Sequence, residues 1–288
     1  MNAPMSVTNT ASRAELTIGR ILLEQGKISA QDAERVLRLQ KEKNLLFGAA
    51  ALQLGLINGT DIEQVLARQF EYPYLNAGEG GYSQELVAAY NPFSPQVESL
   101  RGLRSQLMLR WFALGNKALT LVGVNPGDGS SFLAANLAVV FSQLGERTLL
   151  IDANLRAPSI GPLFKLGTGM GLSDLLANRV GLDVVVRIPD FVGLSILPAG
   201  TLPPNPAELL SRSNLTELLD TLAATYDVIL LDSPAASVAS DFQIAAARTR
   251  GAVIAARKNR SRLNDISAMR NMVTATGAAV VGAVVNDY

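Results

Sequence analysis

Short apolar segments alternate with helical patterns along the last two-thirds of the chain, and this alternation constrains the fold more than any other feature. The apolar segments occupy residues 118–124, 148–152, 194–197, 228–232, 252–256 and 279–285. Helical patterns such as 206–224 separate them. Apolar strands joined by helices predict a mostly parallel, doubly wound sheet that is covered on both faces. We therefore expect an α/β fold, with any ligand at the carboxyl edge of the sheet.

A turn that is rich in glycine follows the first apolar segment. Its residues are Pro126, Gly127, Asp128, Gly129, Ser130 and Ser131. Glycine lets backbone amides point inward, and the N-terminus of the following helix attracts an anion. Taken alone, the turn also fits an ordinary connection between a strand and a helix. As a ligand site, it predicts a phosphate-binding loop made of these six residues.

Two further strand ends carry aspartates. Asp152 ends the second apolar segment, with Asn154 and Arg156 just beyond it, and Asp232 ends another segment. Oxygen ligands from carboxylates and hydroxyls suit magnesium, which they hold directly or through water. Together with the Ser131 hydroxyl, Asp152 and Asp232 therefore predict a magnesium site.

The first part of the chain is an internal repeat with an offset of 29 residues. Two 24-residue units begin at Thr17 and Leu46. They match at pairs that include Gly19/Gly48, Gly26/Gly55, Ile28/Ile57, Asp32/Asp61 and Val36/Val65. Apolar positions at helical spacing, with glycine at a helix end, predict helical hairpins in each unit. We assign residues 1–13 to a loose tail and residues 14–75 to a small all-helical domain.

A change of composition marks the end of the repeat. The stretch 76–92 carries glycine and turn formers at its ends, which predicts a linker around one short helical turn. The second domain, 93–288, then opens with a helix. Ser94 suits the N-cap of this helix, and Pro95 suits its first position.

Three charged residues are spaced three apart on this helix, namely Glu98, Arg101 and Arg104. Residues at this spacing share one helix face, so they can pair within the helix for roughly a few tenths of a kcal/mol each. Alternatively, they form an oligomerisation edge, where arginine forks meet the carboxylates of a neighbouring subunit. The spacing is compatible with both interpretations.

Composition excludes several kinds of site. The chain has no cysteine and no histidine, which excludes disulfides, thiolate or imidazole metal ligands and a Ser/His/Asp triad. Its 25 basic residues balance its 25 acidic residues, which argues against a nucleic-acid partner. Residues 1–13 lack the pattern of a secretory signal, and the uncharged run 129–145 is too short and polar to span a bilayer. We expect a cytoplasmic protein.

Residues 97–287 resemble the bacterial tyrosine autokinases that act with membrane chain-length determinant proteins in exopolysaccharide production. The resemblance rests on RTLLIDANLRAP, LPAGTLPPNPAELL, YDVILLDSPA and the pattern Glu98-x-x-Arg101-x-x-Arg104. It implies a P-loop NTPase fold that binds ATP and Mg²⁺ and transfers phosphate to C-terminal tyrosines of a neighbouring subunit. It also implies ring assembly through the last pattern and a membrane-bound chain-length determinant as partner, which would hold the protein at the inner membrane.

The same resemblance implies catalytic roles for Asp152, Arg156 and Asp232. Asp152 would deprotonate or orient a tyrosine hydroxyl, while Asp232 and Ser131 would hold magnesium. Arg156 would favour the charge that develops on the transferred phosphate. Tyr288 is the candidate phosphorylation site at the C-terminus, and its alternative is a terminal residue without a role.

The repeat resembles the N-terminal domain of type II secretion and pilus-extension ATPases, some of which bind cyclic di-GMP across two such units. In the binding members each unit opens with an arginine that serves a phosphate or a guanine. Here the opening triplets are Thr17-Ile18-Gly19 and Leu46-Phe47-Gly48, without arginine. Cyclic di-GMP binding is one interpretation, and a packing or docking module is the other.

The chain departs from the kinase pattern at several positions. Ser130 stands where the loop should carry lysine, and Asn125 stands where deviant loops carry a second one. Asn154 replaces a second carboxylate, and Tyr288 is the one tyrosine at the C-terminus, where the family has a cluster. Loss of one preorganised donor costs about 3–4 kcal/mol, which slows the step about 100- to 1000-fold.

Three functional hypotheses follow. The first is an ATP-binding, kinase-like subunit that regulates chain length, polymerisation and export of an exopolysaccharide. The second is a pseudokinase scaffold, which Ser130 and Asn154 favour. The third is a partitioning-type P-loop ATPase, against which LPAGTLPPNPAELL and the missing lysine argue.

Overall fold

The chain divides between Pro73 and Tyr74 into two compact units. The computed structural model describes residues 18–69, 73–76 and 78–287. The predicted tail 1–13 and the start of the repeat at Thr17 lie outside these described residues.

Within its described residues, the first unit has four helices, two from each repeat. Their bounds are α1 Ile18–Glu24, α2 Ala30–Lys43, α3 Phe47–Gln53 and α4 Gly59–Gln69. Before α2, the Ser29 hydroxyl accepts from the Asp32 amide at 3.1 Å, and the Asp32 carboxylate accepts from the Ser29 amide at 3.2 Å. Asn58 and Asp61 form the same reciprocal pair before α4, at 2.9 Å in both directions. The two repeats therefore start their second helix by the same cap.

The core of the first unit repeats with the same offset. Its buried apolar residues form the pairs Ile21/Ala50, Leu22/Ala51, Ile28/Ile57 and Val36/Val65. Gly26 and Gly55 follow α1 and α3 with φ of +66° and +65°, a region that favours glycine. The sequence match between the repeats thus reflects shared packing and shared helix ends.

The second unit is built on a seven-stranded sheet. Its strands are β1 Ala118–Gly123, β2 Thr148–Asp152, β3 Val186–Arg187, β4 Leu194–Leu197, β5 Val228–Asp232, β6 Gly251–Arg257 and β7 Ala279–Asn286. The order is β3-β4-β2-β5-β1-β6-β7, and each neighbouring pair is parallel except β3 with β4. The predicted mostly parallel, doubly wound sheet is confirmed.

Helices cover both faces of this sheet. Their bounds are α5 Val87–Tyr90, α6 Pro95–Arg110, α7 Ser130–Gln143, α8 Ile160–Leu163, α9 Leu172–Leu176, α10 Pro206–Ser211, α11 Ser213–Ala223, α12 Asp241–Thr249 and α13 Leu263–Ala275. Leu150 and Leu230 enter the core under α6 and α7, whereas Leu149 and Ile229 enter the core under α9 to α11. Alternate strand residues are thus buried on opposite faces, which explains the continuous apolar segments. No helix in the described part of the chain combines the length and the hydropathy needed to cross a bilayer.

The stretch 76–92, which we predicted as a linker, packs against the sheet domain. Leu86, Ala88 and Ala89 are fully buried in the core that contains α7. Asn136 of α7 binds this stretch from both ends of its amide, since Oδ1 accepts from the Ala88 amide at 2.9 Å and Nδ2 donates to the Glu85 carbonyl at 2.9 Å. The glycines at one end suggested a tether, but the apolar residues that follow them belong to the core.

The structure also divides the helical pattern 206–224 into α10 and α11. Arg212 between them is extended, with φ of −64° and ψ of 154°. The carbonyl of Ser211 at the end of α10 accepts a hydrogen bond from Arg248 of α12 at 2.8 Å. In a continuous helix a backbone amide would donate to this carbonyl, and Arg248 donates to it instead.

Candidate functional site

Two aspartates end adjacent strands at the carboxyl edge of the sheet. Asp152 of β2 and Asp232 of β5 are paired in register, and the amide of Ala153 donates to the Asp232 carbonyl at 2.8 Å. Side chains at paired positions of neighbouring strands point to the same face of the sheet. Both aspartates are fully buried. The structure thus brings together the two carboxylates that the strand ends predicted.

The loop after β2 holds the Asp152 carboxylate. Its Oδ2 accepts from the amides of Ser159 and Ile160 at 3.0 Å, and its Oδ1 accepts from the amide of Asn154 at 3.2 Å. Burial raises the pKa of Asp152 to about 6, although the three amides act in the opposite direction. The side chain of Asn154 accepts from the Ala157 amide at 3.1 Å and so shapes the same turn.

Asp232 is fully buried at the end of β5. Neither of its oxygens has a partner in the described part of the chain. Burial raises its pKa well above the ordinary value, and the nearby Asp152 raises it further. The nearby hydroxyls of Ser131 and Ser159 lower the pKa of Asp232, although neither forms a full hydrogen bond with it in the described part of the chain. Two unpartnered oxygens beside a second carboxylate and a hydroxyl fit a hard cation such as Mg²⁺.

The glycine turn lies at the end of β1, next to β5 in the sheet. Gly127 and Gly129 have φ of +81° and +89°, so residues with side chains would be strained there. Ser130 and Ser131 are the first two residues of α7, where unpaired helix amides are available to a phosphate. The geometry is therefore that of a phosphate-binding loop, with Pro126 and Gly127 exposed on its outer side.

Asp128 holds the shape of this loop. Its buried carboxylate accepts from the Asn125 amide at 2.8 Å and from the Ser261 hydroxyl at 2.8 Å. Asn286 Nδ2 donates to the carbonyl of Asp128 at 2.6 Å. The sequence did not identify Ser261 or Asn286 as part of the site, because only the fold brings the ends of β6 and β7 to this loop. The nearest signal was the run of basic residues after β6.

Arg156 forms an ion pair with Asp241. Its Nε and Nη2 donate to the two carboxylate oxygens at 2.8 and 3.1 Å, and Asp241 is buried at the start of α12. This bidentate pair fixes the guanidinium, and it raises the pKa of Arg156 mainly through the hydrogen bond to Asp241. The pair uses Nε and Nη2 of Arg156 and leaves Nη1 without a contact to Asp241. The catalytic role of Arg156 stays a prediction.

The three charges of α6 have partners within the unit. Arg101 pairs with Glu98 on the same helix, as the intrahelical interpretation expects. Arg104 donates to the carbonyl of Val140 on α7 at 2.8 Å. Contact of these residues with a second subunit stays a prediction. Tyr288, the candidate phosphorylation site, lies outside the described residues.

A cavity of about 680 Å³ opens beside Asp152. On one side it is lined by Gly161 of α8 and by Thr168, and on the other by Pro198 and Thr201 of the LPAGT stretch at the end of β4. Asp174 of α9 fixes that stretch, because its Oδ2 accepts from the amides of Gly171 and Thr201 at 3.1 and 3.0 Å. The LPAGT motif thus forms one wall of the cavity that Asp152 also lines.

The first unit lacks a basic residue at the positions where cyclic di-GMP-binding members have arginine. Thr17 is outside the described residues, and Leu46 is apolar and 81% exposed. Leu46 borders an apolar groove that also contains Arg20, but Arg20 is paired with Glu24 at 3.0 Å. These residues favour the packing or docking interpretation.

A phosphate loop between β1 and α7, with aspartates at the ends of β2 and β5, defines a P-loop NTPase. The family model for cellulose biosynthesis protein BcsQ matches residues 116–267. Tyrosine-protein kinase YwqD of Bacillus subtilis is 30% identical over 203 residues, which are 70% of this chain and 86% of YwqD. The chain belongs to the family of bacterial tyrosine-protein kinases.

Other relatives extend this comparison. EpsB of Ralstonia nicotianae is 37% identical over 203 residues, or 70% of this chain, but the chain spans only 27% of the length of EpsB. The solved kinase domain of the Escherichia coli tyrosine kinase ETK superposes with a TM-score of 0.68 at 29% identity. That superposition covers 70% of this chain and 79% of the ETK domain. The family model, at residues 116–267, falls on the second unit, which carries the acidic pair and the phosphate loop.

Proposed function

We propose that this chain binds ATP with Mg²⁺ at the phosphate loop and acts as a kinase-type subunit in exopolysaccharide production. The observation that carries the proposal is the buried pair of Asp152 and Asp232 beside that loop, in which neither Asp232 oxygen has a partner among the described residues. A buried carboxylate of this kind is costly unless a cation neutralises it. The relatives named above are tyrosine-protein kinases, and the matching family is named for the biosynthesis of a polysaccharide.

The residues have distinct roles in this proposal. The amides of Gly127, Gly129 and Ser130 receive the phosphates, and Ser131 and Asp232 hold magnesium. The metal ion would neutralise charge on the phosphates when it is bound. Asp152, with its raised pKa, faces the cavity and is placed to orient an acceptor hydroxyl. The cavity is large enough for a tyrosine side chain from another chain.

The assembly belongs to the same proposal. In it, the chain acts on the cytoplasmic side of the inner membrane with a membrane-bound chain-length determinant. Its nucleotide state would then regulate chain length, polymerisation and export. Glu98, Arg101 and Arg104 would contribute to a homo-oligomer once the contacts within and around α6 rearrange.

A second function is favoured by Ser130. Without lysine at this position, the loop keeps its backbone amides and its acidic pair but lacks a charge that stabilises the transition state. Nucleotide binding can then persist while phosphoryl transfer is slow. In that case the chain is a nucleotide-sensing pseudokinase of the same machinery.

One experiment tests both functions. The full chain is titrated with ATP and Mg²⁺ by calorimetry, and transfer of the labelled γ-phosphate to protein is followed in the same samples. We expect binding that depends on Mg²⁺ and that Asp232→Asn weakens at least tenfold, while Asp220→Asn on the exposed face of α11 leaves it unchanged. Label on tyrosine indicates a kinase, and binding without label indicates the pseudokinase. Absence of binding by the unmodified chain would contradict the proposal.

A further inference from the structure

The loop after β6 is strongly basic and lies beside the phosphate loop. Residues 257–262 read Arg-Lys-Asn-Arg-Ser-Arg, so four of the six residues are cations. Ser261 anchors this segment, since its hydroxyl donates to the Asp128 carboxylate at 2.8 Å and accepts from the Arg257 amide at 2.8 Å. The position of the basic loop relative to the phosphate loop is therefore fixed by a buried carboxylate.

Arg260 lies directly on the phosphate loop. A Cβ atom placed on Gly127 would be 3.0 Å from Nη1 of Arg260 and 3.7 Å from its Cζ. The guanidinium therefore packs against the α-carbon of a glycine in the middle of the loop. A side chain at position 127 would displace the guanidinium from this position.

The turn around Arg260 directs it toward the loop. The amides of Arg260 and Ser261 donate to the Arg257 carbonyl at 3.2 and 2.9 Å, and Asn259 adopts a left-handed φ of +61°. Asparagine tolerates this conformation better than most residues. The two backbone hydrogen bonds to Arg257 and the anchored side chain of Ser261 thus fix the position of the Arg260 backbone.

The Arg260 guanidinium has no acidic partner in the ranges that the structure describes. Lys258, two residues earlier, is different, because it pairs with Asp287 at 2.6 Å. An exposed cation that packs on a phosphate loop, without a carboxylate to neutralise it, is available to an anion.

We propose that Arg260 binds the phosphate groups of the nucleotide and supplies the positive charge that the loop itself lacks. The inference rests on the proposed nucleotide binding. The loop carries Ser130 and Asn125 where lysines were expected, so its own residues offer amides and hydroxyls only. Arginine binds phosphate through two parallel N–H donors and is always charged. A cation from the β6–α13 loop would thus replace one from the phosphate loop.

Three variants of the full chain test this assignment by calorimetric titration with ATP and Mg²⁺. Arg260→Ala is expected to weaken ATP binding about 10- to 100-fold, because hydrogen bonds to charged groups are lost. Arg262→Ala, which removes a neighbouring exposed cation of the same loop, is expected to bind like the unmodified chain. The double variant Ser130→Lys with Arg260→Ala is expected to regain most of the lost affinity, since lysine restores a cation at the phosphates.

The unfolding temperatures of the nucleotide-free proteins separate a binding role from a structural one. Arg260→Ala and Arg262→Ala are both expected to unfold within a few degrees of the unmodified chain, since both arginines are exposed. Equal ATP affinity in Arg260→Ala and the unmodified chain would overturn the inference but not the proposed function. A weakened variant that Ser130→Lys does not rescue would also overturn it. Absence of ATP binding by the unmodified chain would contradict both the role of Arg260 and the proposed function.

Discussion

Asp232 shows how a single residue identifies the site. Asp174 and Asp128 are buried with amide or hydroxyl donors, whereas Asp232 is buried with none in the ranges that the structure describes. The strand pattern predicted the position of Asp232 at a strand end. It could not predict the lack of donors, because donors to a carboxylate at a strand end depend on how the neighbouring loop folds. The loop that contains Ser159 supplies donors to Asp152 and leaves Asp232 without any in the described part of the chain.

The first prediction concerns the stability of the nucleotide-free protein. Asp232→Asn removes a buried carboxylate next to another one, so we expect it to raise the free energy of unfolding at pH 7 by about 1–2 kcal/mol. Urea unfolding followed by circular dichroism measures this change. Asp220→Asn, on an exposed helix position, is the control and should change little. Destabilisation by Asp232→Asn would mean that the carboxylate has an internal partner.

At the scale of elements, ion pairs join the amino ends of the central strands. Asp227, just before β5, binds Arg147, just before β2, through two hydrogen bonds of 2.9 Å, and Lys117 lies 3.4 Å away before β1. The hydrogen bond from Arg147 is the main cause that holds the pKa of Asp227 well below its ordinary value of 3.8. The candidate functional site lies at the opposite, carboxyl edge of the sheet, so a substitution in this cluster should leave that site unchanged.

This cluster predicts a dependence of stability on pH. Because the folded-state pKa of Asp227 is below the unfolded value, its stabilisation is complete above about pH 4 and declines as the pH falls further. Since Arg147 is exposed, Asp227→Asn should cost only about 1 kcal/mol at pH 7. Urea unfolding at pH 7 and pH 3 should show this difference between the two proteins shrinking at the lower pH. A constant difference would show that the ion pair is not its source.

At the scale of the whole molecule, the two units have separate cores. The buried apolar residues that the structure describes in the first unit belong to one cluster, and the clusters of the second unit share no residue with it. The second unit begins at Tyr74 rather than at residue 93, because Leu75, Tyr82 and Leu86 are buried in its core. A fragment that starts at 93 would leave that part of the core open.

Two fragments test this boundary. We expect 74–288 to fold cooperatively and to be more stable than 93–288 by at least about 3 kcal/mol, since each large buried side chain contributes about 1.5–3 kcal/mol. Urea unfolding of the two fragments, followed by tryptophan fluorescence of Trp111, measures the difference. Equal stability would restore the interpretation of 76–92 as a linker.

The sequence by itself determined the class of fold, the glycine turn, the two aspartates at strand ends and the repeat. These features depend on local spacing. Alternate residues of a strand face opposite cores, and positions with positive φ favour glycine. A helix cap forms when the N-cap residue pairs with the residue three positions later, so it recurs with the repeat. Only the tertiary structure decided which groups meet across the chain. Arg156 with Asp241, Ser261 with Asp128, and Arg260 with Gly127 are more than 80 residues apart. Their contacts arise because the sheet order brings distant strand ends to one edge.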